Sequence, residues 1–206
     1  SIMGYVELLS SNPSPDKVAR YTASMRYSSA HLMELLTNLL EYSRIETGKM
    51  TLDAAPFEVF PLFDQTLGMF VPSAERKGVS LVSDNRAEKG MYVKADAARI
   101  RQLLINLLSN AVKFTSSGSI RFGYRLTDDG IYVYVTDTGM GISKESQASI
   151  FNRFVKLNSF KQGTGLGLSI CKTIIEKLKG KIGVESEEGK GSTFWFTIPC
   201  QPMKVK

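Results

Sequence analysis

The chain reads as an α+β protein: a helical hairpin that forms half of a dimeric four-helix bundle, then an α/β sandwich with a mixed sheet and three main helices. Three observations predict this. Val18, Tyr21, Met25, Ser28, Leu32, Leu35, Leu39 and Tyr42 recur at alternating spacings of three and four, a heptad seam. Beyond Pro56, strand-length alternating runs are interrupted by helical stripes. Between two such runs, Asp128-Asp129-Gly130 supplies a strong hairpin turn.

The first part, residues 1–50, is all helix. SIMGYVELL places Ile2, Val6 and Leu9 on one face of a short helix ending near Ser11, and SNPS reverses the chain. A second helix opens with Ser14 at the N-cap, Pro15 at the first helical position and Asp16 favourable to the dipole. It ends near Gly48, a natural stop, and Leu36 and Leu40 widen its apolar face to bundle width. Residues 51–206 form the second part. Here 60–76, 96–114 and 163–179 read as helices, the last closed by Gly180. Strands fall at 79–83, 91–94, 119–126, 131–136, 181–186 and 193–199. Residues 143–162 are polar with little pattern, the length of a functional lid.

The hairpin is unequal. Its second helix spans about 33 residues, roughly 50 Å, against about ten residues and roughly 15 Å for the first. Leu32, Leu35, Leu36 and Leu39 therefore lack cover, each forgoing roughly 1.5–3 kcal/mol of burial. The expectation is a second copy against this stripe and a first helix that continues upstream of Ser1.

Composition narrows the function. Apolar residues at 43% and charged residues at 22% describe a folded chain, and no apolar run reaches membrane-spanning length. Cys171 and Cys200 are too few and too far apart for a disulfide framework, so they read as reduced thiols of a cytoplasmic protein. The net charge of +6 lies entirely in residues 51–206, with twenty-one basic and fifteen acidic side chains. These bases are scattered without an aromatic-interleaved stripe, which argues against nucleic acid.

Three motifs carry chemistry. Within DAARIRQLLINLLSNAVKFT, Ile100, Leu103, Leu104, Leu107, Leu108 and Ala111 form the buried stripe, while Asn106, Asn110 and Lys113 share an opposite face. Such a face is either a solvated surface or a set of amide oxygens for Mg²⁺ with an ammonium for phosphate. Asp137-Thr138-Gly139-Met140-Gly141 follows the strand IYVYVT; it is either a strand-ending turn or a carboxylate that accepts from a ring amine beside glycines. Gly163-Thr164-Gly165-Leu166-Gly167-Leu168 opens the third helix, as a hinge or a phosphate cradle of free amides. Its GxGxG spacing fits neither a Rossmann nor a Walker loop. Taken together and in this order, the three supply the parts of an ATP·Mg²⁺ site.

These residues resemble the boxes of sensor histidine kinases of two-component systems. NLLSNAVKF looks like their asparagine box, DTGMGI like the first glycine box, IFNRF like the phenylalanine box and GTGLGLSI like the second glycine box. The helix ending EYSRIETGK is similar to the second helix of their dimerisation domain. The resemblance implies a Bergerat-type (GHKL) ATP-binding fold behind a dimeric bundle. It implies that Asp137 binds the adenine amine, with Gly139, Gly141 and Ile142 lining the base. Asn110 would ligate Mg²⁺, and Asn106 and Lys113 would sit on the phosphates. Gly163, Thr164, Gly165, Leu166, Gly167 and Leu168 would form the phosphate loop, Phe151 and Phe154 the lid base, and Arg153 and Lys156 the lid cations. The lid is shorter than in many members, and Gln162 stands where many carry a further glycine.

In that family the phosphoryl-accepting histidine lies on the first bundle helix, which by this resemblance places it a few residues before Ser1. His31, the only histidine, falls on the second helix and is not the expected acceptor. The γ-phosphoryl of ATP would pass to that upstream histidine and on to an aspartate of a receiver domain, separate or fused. The parent protein would be a membrane-anchored homodimer with this part cytoplasmic. An ATPase of the Hsp90, gyrase or MutL type and a non-catalytic dimer scaffold are the alternatives.

Overall fold

The structure, a computed structural model, describes residues 2–11, 13–85, 90–127, 129–155 and 164–204. Helix α1 (Ile2–Ser10) folds back on the first turns of α2 (Pro15–Glu46), with the rings of Tyr5 and Tyr21 5.7 Å apart. Ser14 is the N-cap and Pro15 the first helical residue, as expected, although the Ser14 hydroxyl makes no capping bond. Gly48, at φ +67°, takes the left-handed turn that ends the helix.

At 32 residues α2 runs far past the nine of α1. The leucines beyond its reach, Leu32, Leu35, Leu36, Leu39 and Leu40, are exposed, Leu40 to 62%. No helix among the described residues is long and apolar enough to cross a membrane.

The α/β part follows as β1 (Ala55–Glu58), α3 (Val59–Gly68), α4 (Val71–Glu75), β2 (Val79–Ser83), β3 (Met91–Ala95) and α5 (Ala97–Phe114). It continues through β4 (Gly118–Thr127), β5 (Gly130–Asp137), α6 (Lys144–Gln147), α7 (Gly167–Lys177), β6 (Lys181–Glu187), β7 (Gly191–Pro199) and β8 (Pro202–Lys204). The main sheet has the order β2-β4-β5-β7-β6, parallel between β2 and β4 and antiparallel elsewhere, so it is mixed as expected. The hairpin stands where its turn signal lies, with Thr127 paired to Gly130.

Three departures from the sequence reading have local causes. The helix expected over 60–76 is broken into α3 and α4, because Pro72 lacks an amide hydrogen and its ring collides with the carbonyl four residues back. Helix α7 starts at Gly167 rather than 163. A second, three-stranded sheet of order β1-β3-β8 was not anticipated. Its outer strands carry Pro56 and Pro202, which weaken a strand signal but are tolerated at sheet edges.

Parity on the main sheet decides what faces the helices. Ile131, Val133, Val135 and Asp137 of β5 point inward, registered with Ile198, Phe196, Phe194 and Ser192 of β7. Helices α3, α5 and α7 cover this face with Phe63, Leu103, Leu107, Ile170 and Ile174. The opposite face carries Tyr132, Tyr134 and Trp195, and the Trp195 indole lies against Gly183. A Cβ at Gly183 would come within 2.5 Å of that ring. Gly183→Ala is expected to cost about 1–3 kcal/mol of stability through overpacking, read by urea unfolding. Ligand binding on the far side of the sheet should be untouched.

Candidate functional site

The site is assembled where the end of β5, the second half of α5 and the start of α7 meet. Helix α5 is held at both ends. Asp96 caps its N-terminus, its carboxylate accepting from the Arg99 amide at 3.0 Å and from the Asp53 amide at 2.9 Å. At the other end the Lys77 ammonium donates to the carbonyls of Val112 at 2.5 Å, Lys113 at 3.4 Å and Thr115 at 3.5 Å. These are orphan carbonyls of the last helical turn. Lys77 was not singled out from the sequence, since a lysine in a turn carries no signal of the helix end it reaches.

With both ends fixed, the apolar stripe faces the sheet and Asn106, Asn110 and Lys113 are left half-buried on the other side. The amide oxygen of Asn106 lies 3.2 Å from where a Cβ at Gly167 would stand. Asn106 is also hydrogen-bonded with the Cys171 thiol, whose pKa burial pushes up to about 12 while that bond pulls it down. The asparagine face and the first turn of α7 are therefore in contact. The Lys113 ammonium sits 4.9 Å from the centre of the Phe114 ring.

Asp137 is 6% exposed at the end of β5. Burial pushes its carboxyl above the ordinary carboxylate range, against the opposite pull of backbone hydrogen bonds from Gly139 and Ser192. Oδ1 accepts from the Gly139 amide at 2.8 Å. Only glycine fits at 139, because a Cβ there would lie 2.6 Å from the Phe114 carbonyl and 2.7 Å from Oδ1. Gly141, at φ +69°, would drive a Cβ to 2.0 Å from the Glu187 carbonyl. Ile142 is fixed by its amide to the Ser186 hydroxyl at 2.9 Å. Ser186 and Ser192 thus support the turn from β6 and β7, a role that needs the strand register to be seen.

In the segment expected as a phosphate loop, the Thr164 hydroxyl accepts from the Leu166 amide at 3.0 Å. The Gly165 carbonyl accepts from the Phe154 amide at 2.9 Å, which ties the loop to the phenylalanine segment. Leu166 is buried, and Gly167 and Leu168 form the first turn of α7. Gly163 and Lys156, named from the sequence as loop glycine and lid cation, lie outside the described residues.

The two phenylalanines behave differently. Phe151 packs edge-on to Phe194 at 6.5 Å, whereas Phe154 is 65% exposed in a left-handed conformation, φ +61°, that non-glycine residues seldom adopt. Arg153, expected as a lid cation, has its guanidinium on α2: Nη2 pairs with Glu46, and Nη1 donates to the Tyr42 hydroxyl at 2.9 Å. Tyr42, read from the sequence as the last seam residue, instead faces the α/β part. His31 is on α2 as expected, half-buried and two turns before Asn38.

Residues 95–202 match the family described as histidine kinase-, DNA gyrase B- and HSP90-like ATPases, and the chain belongs to it. Its relatives within that family are sensor histidine kinases. The sensor protein GacS of Pseudomonas syringae pv. syringae is 35% identical over 206 residues, covering 96% of this chain and 23% of its own length. The chain thus spans about a quarter of the curated relatives it matches. Among solved structures, full-length ShkA in complex with AMPPNP superposes with a TM-score of 0.79 at 30% identity, covering 93% of this chain and 40% of that one. Histidine kinase ThkA in complex with the response regulator protein TrrA gives 0.72 at 28% identity, over 96% of this chain and 56% of that one. The chain is an ATP-binding domain of the two-component sensor-kinase type with a helical hairpin before it.

The raised Asp137 pKa has a consequence in the absence of ligand. The folded chain holds this proton more tightly than the unfolded chain does. The group therefore favours folding below its unfolded pKa of about 3.9 and loses that contribution as pH climbs through the raised folded value. Asp137→Asn removes the titration. Its melting temperature without nucleotide is expected to exceed that of the wild type at pH 7, with the gap closing toward pH 4. Parallel pH profiles of the two proteins would contradict this.

Proposed function

We propose that the chain is the kinase core of a sensor histidine kinase, binding Mg·ATP between β5, α5 and α7 and passing the γ-phosphoryl to a histidine on the helical bundle. The observation that carries this reading is Asp137, an acid buried at the rim of the helix layer whose carboxylate can accept from an exocyclic ring amine. The residues around it fit the rest of the nucleotide. Gly139 and Gly141 keep the turn free of side chains, and the amides at the start of α7 suit phosphate.

Among the described residues no three His, Cys, Asp or Glu side chains gather into a metal cluster. A Mg²⁺ here would be held by the Asn110 amide oxygen together with phosphate oxygens, the usual arrangement for this hard ion. When bound, it supplies neutralisation of the charge that grows between the β- and γ-phosphates. Asn106 and Lys113 would orient the phosphates, while Gly165 and Gly167 let the backbone approach them. In the transfer the P–O bond to ADP breaks as an N–P bond forms to imidazole. The chain contributes mainly positioning and electrostatics.

The exposed leucine stripe of α2 supports a homodimer through a four-helix bundle, with a second copy covering Leu32, Leu35, Leu36, Leu39 and Leu40. A receiver domain, of the class represented by the response regulator bound to ThkA, is the proposed onward acceptor. His31 takes no part as phosphoryl acceptor, because it lies on the second helix.

A non-hydrolysable ATP analogue with Mg²⁺ is expected to raise the melting temperature, and Asp137→Asn to weaken binding about 10- to 100-fold, as for loss of a charged hydrogen bond. Calorimetry reads both. With labelled ATP, His31 should stay unlabelled; acid-labile phosphate on His31 would overturn its exclusion. Rapid ATP turnover without transfer to an added histidine-bearing helix would favour a clamp-type ATPase instead.

A further inference from the structure

Behind the turn that follows Asp137 lies a polar network that the nucleotide reading leaves unused. The short helix α6 ends on Gln147, which is half-buried. Its side-chain nitrogen donates both hydrogens, one to the Ile142 carbonyl and one to the Ser186 carbonyl, each at 2.8 Å. Two carbonyl acceptors fix the orientation of this amide, because its oxygen in the same place would face them both. Ile142 also donates its own amide to the Ser186 hydroxyl at 2.9 Å. That hydroxyl gives its hydrogen to the Gly191 carbonyl at 2.8 Å, so it accepts from the Ser192 hydroxyl at 2.9 Å. Ser192 is the register partner of Asp137 and bonds the acid through its backbone.

We propose that Gln147 is a positioning residue for the base: it holds the turn of Gly139, Gly141 and Ile142 at the depth from which a ring amine reaches Asp137. The inference rests on the nucleotide reading above and deepens it by naming what sets base specificity. Both backbone polar groups of Ile142 end in this network. Without the Gln147 donors, two half-buried carbonyls lose a partner, and an acceptor left unsatisfied is costly. Ser186 is fixed in the sheet opposite Ser192, so it is the turn that gives. The Ile142 carbonyl regains a partner by swinging toward water, which carries the turn away from Asp137. Adenine then loses its bond to the acid. Guanine presents a carbonyl oxygen where adenine has the amine, so it has no such bond to lose.

The test compares Mg·AMPPNP with Mg·GMPPNP by calorimetry in the wild type, Gln147→Glu and Gln147→Met. Glutamate keeps the shape without the donors, and methionine keeps the length without polarity. Both are good helix formers, so α6 is retained. Each variant is expected to bind Mg·AMPPNP about five- to tenfold more weakly, because the fraction of chains with the turn in place falls. Affinity for Mg·GMPPNP should stay within about twofold, so the preference for adenine shrinks with the lost hydrogen bond. A general loss of stability would weaken both analogues alike. Equal weakening, or an unchanged preference in both variants, overturns the positioning role and leaves the nucleotide site standing. A wild type that binds neither analogue, or both alike, overturns the reading of Asp137 and this inference with it.

Discussion

A single carboxyl buried at the end of a strand constrains the rest of this molecule. Asp137 continues the inward parity of Ile131, Val133 and Val135, so the backbone delivers it into the helix layer rather than into water. A buried acid is costly unless it is hydrogen-bonded. The amides of Gly139 and Ser192 offset part of that cost, yet burial still leaves the carboxyl shifted upward. The Gly139 bond requires the chain after β5 to turn tightly against the end of α5, which only a residue without a Cβ permits at 139, while the Ser192 bond comes from the strand paired with β5. The acid, the glycine turn and the helix end are thus one unit.

The same helix links the acid to the loop before α7. Its apolar stripe is buried against the sheet, its ends are tied by Asp96 and Lys77, and its half-buried face offers Asn106 and Asn110. Gly167 lets α7 begin almost in contact with the Asn106 amide. A side chain there would have to push the asparagine aside, so the small residue at the helix start serves packing as well as any phosphate. The strain at Phe154, φ +61°, belongs to the same seam, where the Gly165 carbonyl takes the Phe154 amide.

Helix α2 serves two neighbouring surfaces. One carries the leucines that a second copy would cover. The next carries Asn38, Tyr42 and Glu46, which reach the loop of the α/β part.

Much of this was legible in the residues. Amphipathic periods of three to four and of two located the long helix, α5, α7 and the main strands, since those patterns follow from which side each side chain must bury. The asparagine, aspartate and glycine motifs, in that order, supplied the residues of the candidate site. Edge strands β1 and β8 were not legible, as each contains a proline and draws its stability from β3, distant in sequence. Nor was the role of Tyr42. At a seam position its ring is as apolar as its neighbours, and only the fold brings Arg153 to its hydroxyl. Local pattern by itself determined the element types, the acid at a strand end and the glycine turns, because each depends on neighbours within a few residues. Tertiary structure decided how α5 is held at both ends, which residues touch Asn106 and where Arg153 points. Those outcomes depend on groups dozens of residues apart, whose meeting no spacing encodes.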